Sequence, residues 1–315
     1  MSGAAGPRTD WRRLGGLAAG LAVLAFLGYA LVDGWSKVSD YDWQLDPPLF
    51  ALGLAVLIAF YWTSGIGYGA IIERLHQPAP PGRITLSIWA RSLLGRYVPG
   101  SVLMVVSRVV LSAEQGVPKR VSLAAIAYEQ ALSLGVAASG AVAFVALYSD
   151  LGQGGELWLL GLVPLVLLAL HPRVFGPASS WALRKAKREP IAKLLSGGEV
   201  AALVGWYLLI AGLLVIGIWL IVRAAAGPEI GGPGLVGLGF LLAYAVAIVL
   251  VIFPSGLGVR DGAFALALAQ SEGVSGGVAV TLSVGVRLVL MVVELAFVGA
   301  VVVAGRRVPR PEPDG

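Results

Sequence analysis

The stretch VAALVGWYLLIAGLLVIGIWLIV, residues 200–222, contains no charged side chain and decides what kind of fold this chain can have. It exceeds the ~20 apolar residues that a helix needs to cross a bilayer. Hydrophobic residues make up 57% of the 315 residues and charged residues only 13%, whereas a soluble domain is about a quarter charged. The sequence therefore predicts an all-α polytopic membrane protein. Comparable apolar runs predict further full spans, about seven in all, at 14–32, 48–72, 121–148, 157–170, 234–253 and 278–304.

Two other apolar segments, 84–111 and 254–270, are interrupted by proline and glycine. Proline disfavours helical geometry in the residue before it, and glycine tolerates the turn that follows. The first segment is predicted to enter the membrane and return at Pro99-Gly100. The second is predicted to be either one arm of a re-entrant pair with 234–253 or a broken return after a full span. Broken segments in both halves that open to opposite faces are the pattern of inverted repeats.

Lysine and arginine are distributed unevenly among the predicted loops. Six of them lie in the loop 171–199 and none in the loop 149–156. Because basic loops stay on the cytoplasmic side, we expect both chain ends to face the cytoplasm and the protein to reside in the cell membrane. The expected organisation is a cytoplasmic tail at 1–13, a single transmembrane domain at 14–304 and a second cytoplasmic tail at 305–315.

Charged side chains also fall inside the predicted membrane segments. An arginine near the bilayer centre costs roughly 2.5–3.5 kcal/mol, so these arginines should line a water-filled cavity, pair with acids, or reach an interface. The arginines are Arg91, Arg96, Arg108, Arg260 and Arg287, and the acids are Glu129, Asp261 and Glu294. The excess of positive charge, and the bidentate fit of a guanidinium group to phosphate, favour an anionic headgroup as the ligand.

The broken segments and the arginines beside them form the predicted substrate site. Free backbone amides at a helix N-terminus attract anions, and the second break places such a helix end beside an arginine. The predicted substrate-binding residues are Arg96, Tyr97, Pro99, Gly100, Pro254, Gly256, Gly258, Arg260 and Arg287. Glu129, Asp261 and Glu294 are predicted to pair with arginines or relay protons, and Arg91 and Arg108 to line the cavity or anchor their helices. Arg287 and Glu294 lie two helical turns apart on one face, so a structural ion-pair role stays equally open for them.

The composition argues against several other kinds of site. The chain has no cysteine, and its two histidines, His76 and His171, lie near prolines in predicted loops, so we expect no metal and no cofactor. No G-x-x-x-x-G-K-[ST] motif and no recognisable nucleophile–base pair occur, so we expect neither an ATP-driven pump nor an enzyme. The basic residues flank the membrane segments, which argues against a nucleic-acid partner.

Two motifs carry a resemblance to a known family. Pro254-Ser-Gly-Leu-Gly-Val-Arg-Asp-Gly262 resembles the P-x-G-x-G-x-R-E-G signature of the lysylphosphatidylglycerol synthase transmembrane-region family, with Asp261 where glutamate is usual. Gly95-Arg-Tyr-Val-Pro-Gly-Ser101 resembles the earlier R-Y-x-P-G element of that family. The resemblance implies a domain related to the flippase half of the multiple peptide resistance factor, which moves aminoacylated phosphatidylglycerol between leaflets. The short tail after Ala304 leads us to expect a stand-alone member without the synthase domain.

We therefore expect a lipid flippase or scramblase that moves an anionic phospholipid or a lipid-linked glycan through an arginine-lined cavity. The expected partners are membrane lipids with an anionic headgroup. Two alternatives stay open: an ion-coupled secondary transporter of a small soluble anion, and a non-transporting scaffold for a membrane glycosyltransferase. The basic loop 173–193 is the expected docking surface in the scaffold alternative, and a homo-oligomer is a further expected assembly.

Overall fold

The computed structural model describes residues 42–97, 102–148, 195–249 and 258–306, together with residues 173, 174 and 177. In this part of the chain the regular structure is helical, apart from one isolated bridge between Gln44 and Ala226. The expected spans 14–32 and 157–170, most of the loop 171–199 and both tails lie outside the described residues.

The described residues form a series of long and short α-helices. They are α1 (Pro47–Leu75), α2 (Gly82–Leu93), α3 (Val102–Ala113), α4 (Lys119–Tyr148), α5 (Gly197–Ala226), α6 (Gly239–Val249), α7 (Val259–Leu268) and α8 (Gly276–Arg306). A 3-10 turn, Leu94–Tyr97, continues α2, and a π-helical turn, Gly234–Leu238, leads into α6.

Helices α1, α4, α5 and α8 are long and apolar enough to cross a membrane. They confirm the apolar helices expected at 48–72, 121–148, 200–222 and 278–304. The apolar helix in the expected span 234–253 is shorter and covers Gly234–Ala247 within the described residues. The described part of the chain therefore contains four clear spanning helices.

Local signals in the sequence fix where two of these helices begin. The Asp46 carboxylate accepts a hydrogen bond from the Leu49 amide, and prolines occupy the first turn of α1, where a missing N–H costs nothing. Ser196 and Glu199 form a reciprocal capping box at the start of α5. Helix α5 ends at Gly227, which has a φ of 85° that favours glycine.

The helices follow the same order twice, as a long helix, a pair of short helices, and a second long helix. The first unit is α1, α2–α3 and α4, and the second unit is α5, α6–α7 and α8. In each unit the second short helix packs on the long helix after it, α3 on α4 and α7 on α8. The first short helix packs on the last helix of the other unit, α2 on α8 and α6 on α4. The two units therefore exchange contacts in a pseudo-twofold manner.

The first helices of the two units, α1 and α5, pack against each other in opposite directions. Gly53 near the start of α1 faces Ile221 near the end of α5, whereas the Trp206 indole near the start of α5 donates to the carbonyl of Thr63, 3.1 Å away. Residue numbers thus rise along one helix as they fall along the other. This antiparallel arrangement is the one that an inverted repeat requires.

Each pair of short helices is a helical hairpin, since its arms lie against each other. In the first hairpin the Arg108 Nε of α3 donates to Ser92 Oγ of α2 over 2.9 Å. Gly95 allows this approach, because a Cβ there would lie only 2.5 Å from the backbone nitrogen of Met104. In the second hairpin the rings of Phe240 and Phe264 meet edge to face at 5.2 Å. In both pairs the second arm therefore packs on the first.

We predict that Gly95→Ala destabilises the protein, because the added methyl group would press the start of α3 away from α2. Overpacking of this kind costs about 1–3 kcal/mol. Thermal unfolding of detergent-purified protein, followed by tryptophan fluorescence, should show a lower Tm for this variant.

The control for that substitution is Gly285→Ala in α8, where a Cβ would meet nothing within 4 Å. Alanine favours a helix interior over glycine by up to about 1 kcal/mol, so its Tm should not fall. An unchanged Tm in Gly95→Ala would contradict the close approach of the two arms.

Candidate functional site

The first hairpin is joined to α4 by a buried ion pair between Arg108 and Glu129. Arg108 is only 1% exposed, donates to Glu129 Oε2, and lies over the Tyr68 ring with its guanidinium carbon 4.8 Å from the ring centre. The Trp89 indole donates to the other carboxylate oxygen, Oε1, over 2.7 Å. Both oxygens of Glu129 are thus bound. The arginine lies inside the helix bundle, and not at the cavity wall or the surface as the sequence suggested.

The second hairpin is joined to α8 by an ion pair of opposite polarity. Asp261 of α7 is buried, and its Oδ2 lies 2.5 Å from Arg287 Nη1 of α8. Its other oxygen lies 3.6 Å from Arg260 Nη2, so one carboxylate serves two arginines. Ser283 Oγ of α8 also donates to the Asp261 carbonyl over 2.8 Å. Acid and base have therefore exchanged places relative to the first unit, where the hairpin carries the arginine.

A third ion pair crosses between the two units. Glu294 of α8 is 2% exposed, and its Oε2 accepts from Arg96 Nη1 at 2.7 Å and from the Tyr61 hydroxyl at 3.0 Å. Its Oε1 is buried and has no hydrogen-bond partner among the described residues. Arg96 belongs to the 3-10 turn of the first hairpin, and its side chain is 43% exposed. This pair links the tip of one hairpin to the last helix of the other unit.

A cavity of about 180 Å³ lies between the two units and receives an arginine from each hairpin. Arg96 reaches it from the first hairpin and Arg260 from the second, where its side chain is 28% exposed. The wall of the cavity combines apolar side chains with aromatic and polar ones. The aromatic and uncharged polar lining residues are Phe60, Tyr61, Ser64, Trp89, Gln130, Ser133, Tyr207, Phe240 and Tyr244, and Glu129 also lines the cavity. Arg287, Arg108 and Glu294 stand behind this wall and do not line it.

The charges around the cavity do not cancel. Among the described residues, four arginines in these ion pairs, Arg96, Arg108, Arg260 and Arg287, face three acids, Glu129, Asp261 and Glu294, which leaves one positive charge. Arg91, the fifth arginine of the sequence prediction, is exposed on α2. Because Asp261 is shared by two arginines, the excess lies on its side of the cavity. An anion bound there would neutralise it.

The described residues include only part of the predicted site. Pro99, Gly100, Pro254 and Gly256 lie outside them, and Tyr97 is described only by its backbone. Gly258 begins the second arm with a φ of 85°, which a residue with a side chain rarely adopts. Within the described residues, no group of three or more His, Asp or Glu side chains is placed to hold a metal ion.

The sequence did not reveal the neutral side chains that complete these pairs. Trp89 binds Glu129, Tyr61 binds Glu294, and Ser92 binds Arg108. A tryptophan and a serine inside a half-helix were the available signals. Neither indicated a partner, because the partners come from other helices.

These features define a polytopic helical membrane protein in which two similar units enclose a charged cavity. Residues 14–297 match the protein family described as Lysylphosphatidylglycerol synthase TM region, and the chain belongs to that family. No curated protein and no solved structure matches the chain. The family assignment agrees with the two motifs, whose arginines meet in the cavity.

We predict that removing one partner of the Arg108–Glu129 pair is more damaging than removing both charges. Arg108→Gln leaves a buried carboxylate without its cation, which typically costs about 3–5 kcal/mol. The double variant Arg108→Gln/Glu129→Gln has no unpaired charge and should recover part of the lost Tm.

Arg91→Gln is the matched control, since that arginine is exposed and surface substitutions usually change stability by less than about 0.5 kcal/mol. Equal Tm values for Arg108→Gln and Arg91→Gln would show that the buried pair is not holding the first hairpin.

Proposed function

We propose that the protein is a flippase- or scramblase-type transporter that carries the headgroup of an anionic lipid through the cavity between its two units. The observation that carries this proposal is that Arg96 and Arg260, one from each hairpin, line the same cavity, and that the arginines of the described ion pairs outnumber their acids by one. A guanidinium group stays charged in an apolar site and binds phosphate through two parallel hydrogen bonds. The proposed activity is transport and involves no catalytic step.

The size of the cavity supports a headgroup as the ligand. Its volume of about 180 Å³ is below the about 300–1,000 Å³ of sites that enclose a whole small molecule. A phosphate with its glycerol or sugar hydroxyls is a better match, while the acyl chains stay in the bilayer. Ser64, Gln130 and Ser133 supply neutral hydrogen-bonding groups for such hydroxyls.

The acids of the site support a ligand with net negative charge. Glu129 is the acidic side chain that lines the cavity among the described residues, and its two oxygens are bound by Trp89 and Arg108. An ammonium group in the headgroup would therefore find no free carboxylate. We infer that phosphatidylglycerol or an anionic lipid-linked glycan is preferred over an aminoacylated, cationic lipid.

We further propose a topology of six full spans and two re-entrant hairpins. The four long helices and the expected spans 14–32 and 157–170 give six crossings, and α6 pairs with α7 as α2 pairs with α3. An even number of crossings puts both tails on the same side, which the basic residues identify as the cytoplasm of the cell membrane. The hairpins then open to opposite faces of one transmembrane domain, 14–304.

Cysteine labelling of intact cells tests this topology, because the chain contains no cysteine of its own. Gln115 and Gln270 are exposed residues just beyond the second arms of the two hairpins. A membrane-impermeant maleimide should label Gln270→Cys from outside, and Gln115→Cys only after permeabilisation. Labelling of both from one side would overturn the inverted arrangement.

The transport proposal is tested in proteoliposomes that contain fluorescent phosphatidylglycerol, whose outer-leaflet label is quenched by dithionite. Arg260→Gln should lower the flipping rate at least about tenfold, which corresponds to the loss of about 1.4 kcal/mol of headgroup binding. Arg260→Lys keeps the charge but not the two-pronged fork, so it should restore part of the rate. Arg91→Gln is the control for a lost arginine outside the cavity.

Two further arms identify the substrate in the same vesicles. Labelled lysyl-phosphatidylglycerol should move more slowly than labelled phosphatidylglycerol, because its headgroup is cationic. The second arm uses soluble glycerol phosphate. If it is transported and competes with the lipid, the protein is instead a transporter of small anions. If wild type and a correctly folded Arg260→Gln variant flip the lipid at equal rates, Arg260 has no part in transport. The proposed mechanism would then be wrong.

A further inference from the structure

Glu294 is a buried carboxylate that forms a salt bridge with Arg96, an arginine of the cavity wall. Its Oε2 is held by Arg96, 2.7 Å away, and by the Tyr61 hydroxyl, whereas its Oε1 has no partner among the described residues. The acid is 2% exposed and the arginine side chain 43% exposed. The pair is therefore asymmetric, since the cation can be reached from the cavity and the anion cannot.

The other two acids of the site are secured differently. Glu129 is paired with Arg108, which is buried and does not line the cavity. Asp261 is shared by Arg260 and Arg287, so it keeps one cation if the other turns to a ligand. Among these three acids, Glu294 is the one that would lose its paired arginine if a ligand in the cavity bound that arginine.

Among the described residues, Arg96 is the cation that pairs with Glu294. Helix α1 contributes the Tyr61 hydroxyl, and α2 contributes the neutral Trp89, which packs on Phe297 one turn away. Helix α7 meets α8 at Arg287, two turns from Glu294, through Asp261 and Arg260.

A phosphate headgroup that binds Arg96 competes with Glu294 for the same guanidinium group. If the headgroup wins, an ionised carboxylate is left buried with only a neutral hydroxyl beside it, which is strongly unfavourable. A proton on Glu294 removes this cost, because the neutral acid needs no cation beside it. Binding of the anion and binding of the proton must then favour each other.

We propose that Glu294 is the proton site of the transporter, and that a proton binds at its unpartnered Oε1 when an anionic headgroup takes Arg96. The proton comes from bulk water and leaves when the headgroup leaves and Arg96 returns. This inference rests on the proposed function and names its coupling ion. Headgroup and proton are thus carried together.

Isothermal titration calorimetry of the full-length protein in detergent tests the coupling directly. Short-chain phosphatidylglycerol is titrated at one pH in two buffers that differ in ionisation enthalpy, which gives the number of protons taken up per bound lipid. Wild type should take up about one proton per headgroup. Glu294→Gln keeps the shape and the hydrogen bonds to Arg96 and Tyr61, so it should still bind the lipid with proton uptake near zero.

Glu114→Gln is the matched control, because Glu114 is an exposed acid beyond the end of α3, and it should retain the wild-type proton uptake. Lipid binding by wild type without proton uptake would overturn the coupling and leave the proposed function standing. Proton uptake that persists in Glu294→Gln would overturn its assignment to this residue. Absence of lipid binding by wild type would overturn the proposed function, and the coupling with it.

A second measurement keeps the inference testable if Glu294→Gln does not fold. In wild-type proteoliposomes, an imposed pH gradient should drive labelled phosphatidylglycerol toward one leaflet, in the direction in which protons flow. If the vesicles flip the lipid but the pH gradient does not change its distribution between the leaflets, coupled transport is ruled out.

Discussion

Charge compensation in a water-poor interior is the constraint on which this structure depends. Four arginines inside an apolar helix bundle are tolerated because three acids meet them. Three of these ion pairs, Arg96–Glu294, Arg108–Glu129 and Arg287–Asp261, join segments that are separate in the chain. Arg108 fixes the first hairpin to α4, and Asp261 fixes the second hairpin to α8. The pairs thus act as connectors between elements whose apolar surfaces alone would give little specificity in lipid.

The ion pairs differ in how far they are buried. This difference distinguishes a pair that holds helices together from pairs whose arginines a ligand can reach. The Arg108–Glu129 pair is buried and held by Tyr68, Trp89 and Ser92, although Glu129 also borders the cavity. The pairs made by Arg96 and Arg260 stand at the cavity, where their arginines are partly exposed. A firmly buried pair is costly to break, whereas a half-exposed arginine can exchange one anion for another. Among the described residues, the partly exposed arginines of the cavity are therefore Arg96 and Arg260, one from each hairpin.

The sequence predicted the helices far better than it predicted the contacts of the site. Long apolar runs and proline–glycine breaks are local signals, and the four long helices and the shorter apolar helices beside the breaks follow from them. The pairing of Arg96 with Glu294 joins residues 198 positions apart, so only the packing of α2 on α8 brings them together. Arg108 illustrates the same limit, because its place near a helix end suggested an anchor, while its partner on α4 draws it inward.

The exchange of signs between the two units explains why their similarity is easier to see in the contacts than in the residues. In the first unit the hairpin carries an arginine and the following helix an acid, whereas in the second the hairpin carries Asp261 and the helix carries Arg287. Either polarity satisfies the same electrostatic requirement, so the residues could diverge while the contact was kept. The sign of the second pair also brings Arg260 beside its acid, and with it the extra positive charge. The departure from symmetry therefore accounts for the excess positive charge beside the cavity, on which the proposed preference for an anion rests.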